Sequence, residues 1–461
     1  MQTQRQTFKT LAYSSEKELI YAHSKNPVTL GNGMVIGGGT LYPEINFTLP
    51  PMMITKQTMP EAVRNYKEII TGICERARQL YVSGFVAEIE HLPPMTENPG
   101  WGAEICKTVV DVVKETQAKY GIKGAVRVTP ADIREGSDLE HMWRGRHWEG
   151  VLAAFEASAA AGAELFSIES VGGKETHDEA VMYCDIAKSI FALGVLGSRD
   201  MEKLWAHVVG ISDRHGVIPA GDTACGFANT AMVLADKGYI PRVFAAGVRV
   251  VAAMRSLVAA EMGAKGPHKD CGYEGVYIKA ITGRPISMEG RTAACAHLSP
   301  VGNIPMCMAD LWSNESVQNI KLLGGMAPSV SFEQLVYDCR LMNGATQKGS
   351  QAALLLRDLH ADSDSSLDPQ AYVLRPDVVL DISRELVGVE GDYPRAKKAA
   401  ALAFEHLSKA NAAGKLPLNE KELTWLGNLA EAVDEMPDDV GEFTEGIIDE
   451  CEKLDPAKYD M

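Results

Sequence analysis

Between about residues 60 and 265, helix-like and strand-like patterns alternate, and this alternation constrains the chain more than any other feature. Residues 61–82 (EAVRNYKEIITGICERARQLYV), 103–119, 148–161 and 199–214 carry apolar side chains at three- and four-residue spacing, as amphipathic helices do. Between them lie short apolar runs bounded by glycine: GFVAEIE at 84–90, GAVRVT at 124–129, AELFSIES at 163–170, FALGVLGS at 191–198 and GVIPAGDT at 216–223. Runs this short, apolar on both faces and separated by helices, are expected to be buried parallel strands. The predicted fold is therefore α/β, a (β/α)₈ TIM-type barrel with additional helices, with a doubly wound open sheet as the alternative. The open sheet lacks support because no GxGxxG or GxxxxGK[ST] follows a strand; the glycines of GNGMVIGGG at 31–39 are expected to make a turn.

Strand signals stop after residue 330. Three helical segments follow, SFEQLVYDCRLMN, YPRAKKAAALAFEHLSKANAAG and LNEKELTWLGNLAEAVDEM, the last with Asn419 and Glu422 at capping-box positions. The polar stretch 361–369 is expected to be a loop. The predicted organisation is a barrel over residues 1–330 and a helical C-terminal extension over 331–461 packed on it. The chain carries 45 Lys and Arg against 61 Asp and Glu, a net charge of −16, and −11 of that lies in residues 419–461. An acidic chain without a basic patch is repelled by phosphates, so no nucleic-acid partner is expected.

Nine cysteines, an odd number with no CxxC pair, argue against a disulfide framework and for a reducing compartment. The first residues contain no apolar run of signal-peptide length. The longest apolar stretch, 243–264, is interrupted by Arg249, Arg255 and Glu261, so no membrane span is expected and a cytoplasmic location is predicted.

Three metal-capable side chains fall at predicted strand ends or just after them: Glu169 in SIES, Cys225 in GDTAC and Cys271 in KDCGYEG. In a barrel, such positions converge on one face. One glutamate and two cysteinates would give Zn²⁺ three donors and leave the fourth position open, the arrangement of catalytic zinc. Spacing alone does not unite them, because a buried cysteine is most often a small core residue. Cys74, Cys106, Cys184, Cys295, Cys307 and Cys339 are expected to be packing residues, and His268 and His297 core or surface histidines.

SIESVGGKE at 167–175, AGDTACGFANTAM at 220–232, GPHKDCGYEG at 266–275, ITGRPISMEGRTAACAH at 281–297 and LWSNESV at 311–317 resemble the methanol:corrinoid methyltransferase family, the zinc subunit of the methanol-specific system of methanogens and acetogens. The similarity extends to PEINF at 43–47, to EHLPPMTENPGWGAE at 90–104 and to the helical C-terminus, so it covers nearly the whole chain. The resemblance implies a cytoplasmic enzyme of one-carbon metabolism and methanogenesis that activates methanol on one zinc ion per chain. It further implies methyl transfer to the Co(I) corrinoid of a separate corrinoid protein, with a homodimer at the core of the hetero-oligomer. Carried over residue by residue, the family's zinc ligands fall on Glu169, Cys225 and Cys271.

Hydroxide is a poor leaving group, so C–O cleavage on that expectation calls for a proton donor whose pKa is raised by burial and an anionic site. Asp222 and Glu90 are the candidates. Asp222 capping the following helix or bonding loop amides, and Glu90 with His91 as a structural ion pair, are the alternatives. A cobalamin site within the chain would show DxHxxG; Asp213 and His215 have the spacing, but Ile218 stands where glycine is required, so the corrinoid is expected from a partner. Two further functions stay open: a zinc-dependent corrinoid methyltransferase for another small methyl donor, and a non-catalytic barrel scaffold without metal.

Overall fold

Eight parallel strands pair in chain order around a ring: β1 (Tyr42–Thr48), β2 (Gly84–Glu90), β3 (Lys123–Thr129), β4 (Leu165–Ile168), β5 (Ile218–Asp222), β6 (His268–Asp270), β7 (Ile286–Glu289) and β8 (Leu311–Val317), with β8 returning to β1. Parallel neighbours require a crossover, and helices on the outside supply each one. The ring's seam lies between β5 and β6, where Lys265 N–H donates to Pro219 O at 2.7 Å. The fold is a TIM-type barrel with a helical extension, as the alternation predicts. The computed structural model describes residues 4–48, 52–136, 138–318 and 320–461.

The barrel interior changes character from bottom to top. At the bottom, the segment with the 31–39 glycines turns an antiparallel hairpin, His23–Thr29 with Val35–Gly38. Its Val28, Leu30, Met34 and Ile36 plug the barrel against Val86, Ala125, Leu165, Ala220 and Leu311. The glycines make the expected turn. Above the plug, fully buried Arg127 reaches Glu44 at 2.7 Å, Ser167 at 2.7 Å and Pro267 O at 2.9 Å. Higher still, the inward positions are carboxylates. A charge is tolerated in so confined a place only when paired or protonated, and both solutions occur here.

The run 191–198, predicted to be a strand, is helical: Ile186–Phe191, a π-helical turn Ala192–Gly197 and Ser198–His215 follow without a break. Every residue of the turn is buried, so no polar face marks the helical period. Gly194 passes so close to helix Asp392–Ala412 that a Cβ would sit 2.5 Å from that of Ala396. Asp213 and His215 end the helix Ser198–His215, and His215 pairs with Glu156 at 2.5 Å.

Helix Ala327–Gln347 spans the boundary expected at residue 330. Its Asn343 bonds Leu41 N–H and C=O just before β1, and Asp338 accepts from Trp312 Nε1 of β8 at 3.1 Å, so by packing it belongs with the barrel. Residues 361–365 of the predicted loop instead finish helix Ser350–Ser365. The helical extension shares one continuous apolar core with the barrel. Among the described residues, one helix is long and apolar enough to cross a membrane, Arg242–Glu261, and it lies wholly within the fold. Three of its charges are buried and hydrogen-bonded, Arg249 to Gln370, Arg255 to Ser170 and Glu261 to Arg395, while Arg242 at its start meets Asp368 at 3.1 Å.

Asn419 caps its helix by accepting Glu422 N–H at 3.0 Å, as the capping positions predict. Glu422, however, turns away to accept Arg242 N–H and Val243 N–H at 3.0 Å each, closing the start of Arg242–Glu261. Glu422→Ala is expected to cost roughly 0.5–2 kcal/mol, the worth of a helix cap. Chemical denaturation should show a lower midpoint at an unchanged slope.

Candidate metal centre

β4, β5 and β6 end beside one another at the mouth of the barrel, and each feeds a loop that carries one of the three predicted ligands. Glu169 follows β4 directly, Cys271 follows β6 directly, and Cys225 lies three residues beyond β5. One donor atom from each lies within 4.8 Å of the other two, and Cys271 Sγ stands 3.4 Å from Glu169 Oε1. Zinc binds such donors at about 2.0–2.3 Å, so the set spans about two metal–ligand bonds and fits one ion.

The loops are held by the residues between the ligands. Thr223 Oγ1 accepts Cys271 N–H and Gly272 N–H at 3.3 Å each and donates to Glu274 Oε1 at 3.0 Å, bridging the seam. Glu274 also accepts Ala224 N–H at 2.5 Å and Ser256 at 3.1 Å. Cys225 opens a π-helical turn to Asn229, whose Nδ2 donates to Cys225 Sγ at 3.2 Å. Single π turns are frequent at functional sites because they re-aim one side chain without ending the helix. Gly221, at φ 109°, lets His268 pack where a Cβ would meet Nδ1 at 2.0 Å.

The hydrogen bond to Cys271 favours the Cys225 thiolate, but burial and the carboxylates of Glu169 and Glu289 override it and push the thiol up to about 12. Burial, then Cys225 and the carboxylates, hold Cys271 well above the ordinary thiol value. Two such thiols become thiolates together only when a cation compensates them, which is what a metal site requires.

Among the described residues, one ammonium, Lys269, is shared by three of the carboxylates around this set. Lys269 Nζ lies 2.8 Å from Glu88 Oε1 and 3.2 Å from Glu169 Oε1, and donates to Glu90 Oε1. One cation cannot hold every carboxylate ionised. Burial would raise Glu88, but Lys269 and Arg127 outweigh it and hold Glu88 below the usual value. Glu90 is pushed up to about 8, by burial first and then by Glu169, Glu315 and Glu88, against the pull of Lys269. Burial raises Glu315 to about 7, and holds Glu289 well above the carboxylate range. Glu90 and Glu169 line one cavity of about 280 Å³ with His91, Thr129, Lys174 and Phe227.

The sequence profile of the methanol-cobalamin methyltransferase B subunit, MtaB, matches residues 5–460. The chain belongs to this family. A methanol--corrinoid protein co-methyltransferase of Methanosarcina barkeri (strain Fusaro / DSM 804) is 39% identical over 449 residues, which cover 96% of this chain and 95% of that protein. The crystal structure of the methanol:cobalamin methyltransferase complex MtaBC from Methanosarcina barkeri superposes with a TM-score of 0.93 at 38% identity, covering 99% of this chain and 100% of that one.

The two proton-donor candidates lie in different surroundings. Asp222 is fully buried and accepts Ser170 N–H at 3.3 Å and Trp205 Nε1 at 3.1 Å, with Arg255 at 3.5 Å. Burial raises it to about 6 against the pull of Arg255. Its bonds are those of a group that holds the residue after Glu169. Glu90 faces the cavity, with Oε1 accepting Asn46 Nδ2 at 2.8 Å as well as Lys269. His91 makes no ion pair with it among the described residues; burial lowers the ring to about 4, keeping it neutral.

His268 is buried in β6 and His297 is half-buried 4.0 Å from Glu315, so neither joins the ligand group. Cys295, expected in the core, is exposed, and Cys184 only half-buried; Cys74, Cys106, Cys307 and Cys339 are buried as predicted. Sequence reasoning missed Glu88, Lys269, Glu289 and Glu315. Their signal was present: Glu88 and Glu90, like Glu44 and Asn46, recur at every second position of strands otherwise apolar, which marks a polar barrel interior. Lys269→Met is expected to cost about 3–5 kcal/mol by stranding buried carboxylates. Thermal unfolding measures the loss, and a melting midpoint equal to wild type would contradict the pairing.

Proposed function

We propose that this chain activates methanol on one zinc ion held by Glu169, Cys225 and Cys271, and passes the methyl group to the Co(I) corrinoid of a separate corrinoid protein. Membership of the B-subunit family supports methyl transfer from methanol to a corrinoid protein. The observation that carries the finer statement is the convergence of one carboxylate and two thiols at the barrel mouth. Three donors leave a fourth position for substrate, which suits catalysis better than a structural role.

The reaction consumes methanol, Co(I) and a proton, and yields methyl-Co(III) and water. The C–O bond breaks with its electron pair on oxygen, and cobalt supplies the pair that forms the C–Co bond. Zinc when bound supplies Lewis acidity toward the alcohol oxygen. Glu90 holds the proton that leaves with that oxygen: its Oε1 is occupied by Asn46 and Lys269, so Oε2 carries it. Lys269 keeps the negative charge on Glu88, so that the proton stays on Glu90. Asp222 and Arg255 fix Ser170 and with it the direction of Glu169.

Purified, zinc-loaded chain with a corrinoid partner protein should convert Co(I) to methyl-Co(III), read by absorbance, when methanol is added. Methylation by a methyl ether or a methylamine in place of methanol would transfer the activity to another donor. Absence of zinc after metal-replete expression would favour the scaffold.

A further inference from the structure

The loop that carries Glu169 runs from the end of β4 to helix Lys174–Tyr183 in five residues, and three of its amides are tied by side chains from elsewhere in the fold. Ser170 N–H goes to Asp222, Val171 N–H to Asp132 Oδ2 at 3.0 Å, and Gly173 N–H to the phenol oxygen of Tyr459 at 2.8 Å. The first acceptor is the last residue of β5 and the second lies in the loop after β3. The third lies 286 residues further along the chain, in the short turn Pro456–Tyr459. The loop has no spare room: a Cβ on Gly172 would meet the Asp200 side chain at 2.3 Å, and one on Gly173, at φ 85°, would meet Ala192 O at 2.2 Å.

Tyr459 is itself fixed from several sides. Its ring packs edge-to-face on Trp143 at 6.0 Å, and Trp143 Nε1 donates to Asp200 Oδ1 at 2.8 Å. Asp200 and Asp132 both pair with buried Arg134 at 2.6 Å, so the acceptors of Val171 and Gly173 are joined through one network. Lys458 O accepts Met142 N–H at 3.1 Å, and Asp460 meets His141 at 3.1 Å.

We propose that Tyr459 is a positioning residue for the metal centre: by accepting Gly173 N–H it fixes the 169–173 loop, and so the last turn of the sequence governs how firmly Glu169 holds its ion. Tyr459 acts through Gly173, by a contiguous chain of packed and hydrogen-bonded groups. The inference rests on the proposed zinc role of Glu169, Cys225 and Cys271.

Full-length Tyr459→Phe keeps the ring against Trp143 and removes only the oxygen. Four measurements on zinc-loaded or Co(II)-substituted protein test it: zinc transfer to a chromophoric chelator, the thiolate-to-Co(II) absorption band, hydrogen exchange over residues 165–176, and thermal melting. Zinc release is expected to quicken about fivefold or more, the effect of one buried amide left unpaired. The Co(II) band should shift and exchange should rise in that segment alone, with melting nearly unchanged. Tyr459→Ala should exceed Tyr459→Phe in release rate. Unchanged release with an unchanged band in Tyr459→Phe overturns the inference and leaves the zinc site standing. Faster exchange throughout the fold with a matching loss of melting temperature assigns a general structural role and also overturns it. Wild type that binds no zinc overturns both proposals.

Discussion

Cys225→Ala and Cys271→Ala are each expected to lose the bound zinc and with it methanol-dependent methylation of Co(I). The effect is large because each variant removes one of three donors from a set whose atoms lie within 4.8 Å of one another. Metal Lewis acidity is worth several kcal/mol in a transition state, so the rate should fall by about a thousandfold or more. Folding should survive, because Cys225 and Cys271 are held high as thiols and neither is paired to a cation that its loss would strand. The check is zinc content by elemental analysis beside the Co(I) to methyl-Co(III) spectral change, with Cys295→Ala, an exposed cysteine, as control. A variant that keeps both zinc and activity would remove that cysteine from the site.

The second large effect belongs to Glu90. With its carboxyl pushed up to about 8, Glu90 keeps its proton at neutral pH and loses it as pH rises through that value. Methyl transfer is therefore expected to hold level below about 8 and to fall above it, tenfold per unit once deprotonation is complete. Glu90→Gln should lower the rate by about 10²–10⁴, the usual worth of general acid catalysis, and abolish that alkaline limb. Stability carries the same signature with its own sign. Between the ordinary carboxyl value of 4.5 and about 8, the folded chain holds a proton that the unfolded chain has released, so this group makes folding less favourable as pH rises through that window. Glu90→Gln should flatten that slope in pH-dependent denaturation. An alkaline limb that persists in Glu90→Gln would assign the proton elsewhere, with Glu289 and Glu315 the nearest groups of raised pKa.

Much of the architecture was legible in the residues. GFVAEIE is β2 residue for residue, and the four predicted barrel helices all occur, because an amphipathic face and a glycine-bounded apolar run are local patterns that packing does not override here. The run 191–198 failed for the converse reason. Buried on every side, a helix loses its period and cannot be told from a buried strand by composition. β6 and β7, three and four residues long, carry too little pattern to be read alone. The candidate ligand set was legible as three residue types at strand ends, and the resemblance implied it, but its support was not legible. Thr223, Glu274, Asn229 and Asp222 hold the loops through bonds that no local spacing announces.

By itself the sequence determined the alternation of strands and helices between about residues 60 and 265, the presence of three metal-capable side chains, Glu169, Cys225 and Cys271, at or just after strand ends, and the acidic balance of the C-terminal segment. Tertiary structure alone decided which carboxylates are held low and which are pushed up. Glu88, Glu90, Glu289 and Glu315 are the same residue type in similar strands, yet Lys269 and Arg127 keep the first ionised while burial leaves the others raised. A pKa depends on distance to charge and on exclusion of water, and both are set only when the strands close around Lys269. Closure likewise brings Tyr459 to Gly173, which are 286 residues apart in the chain and in contact only in the fold.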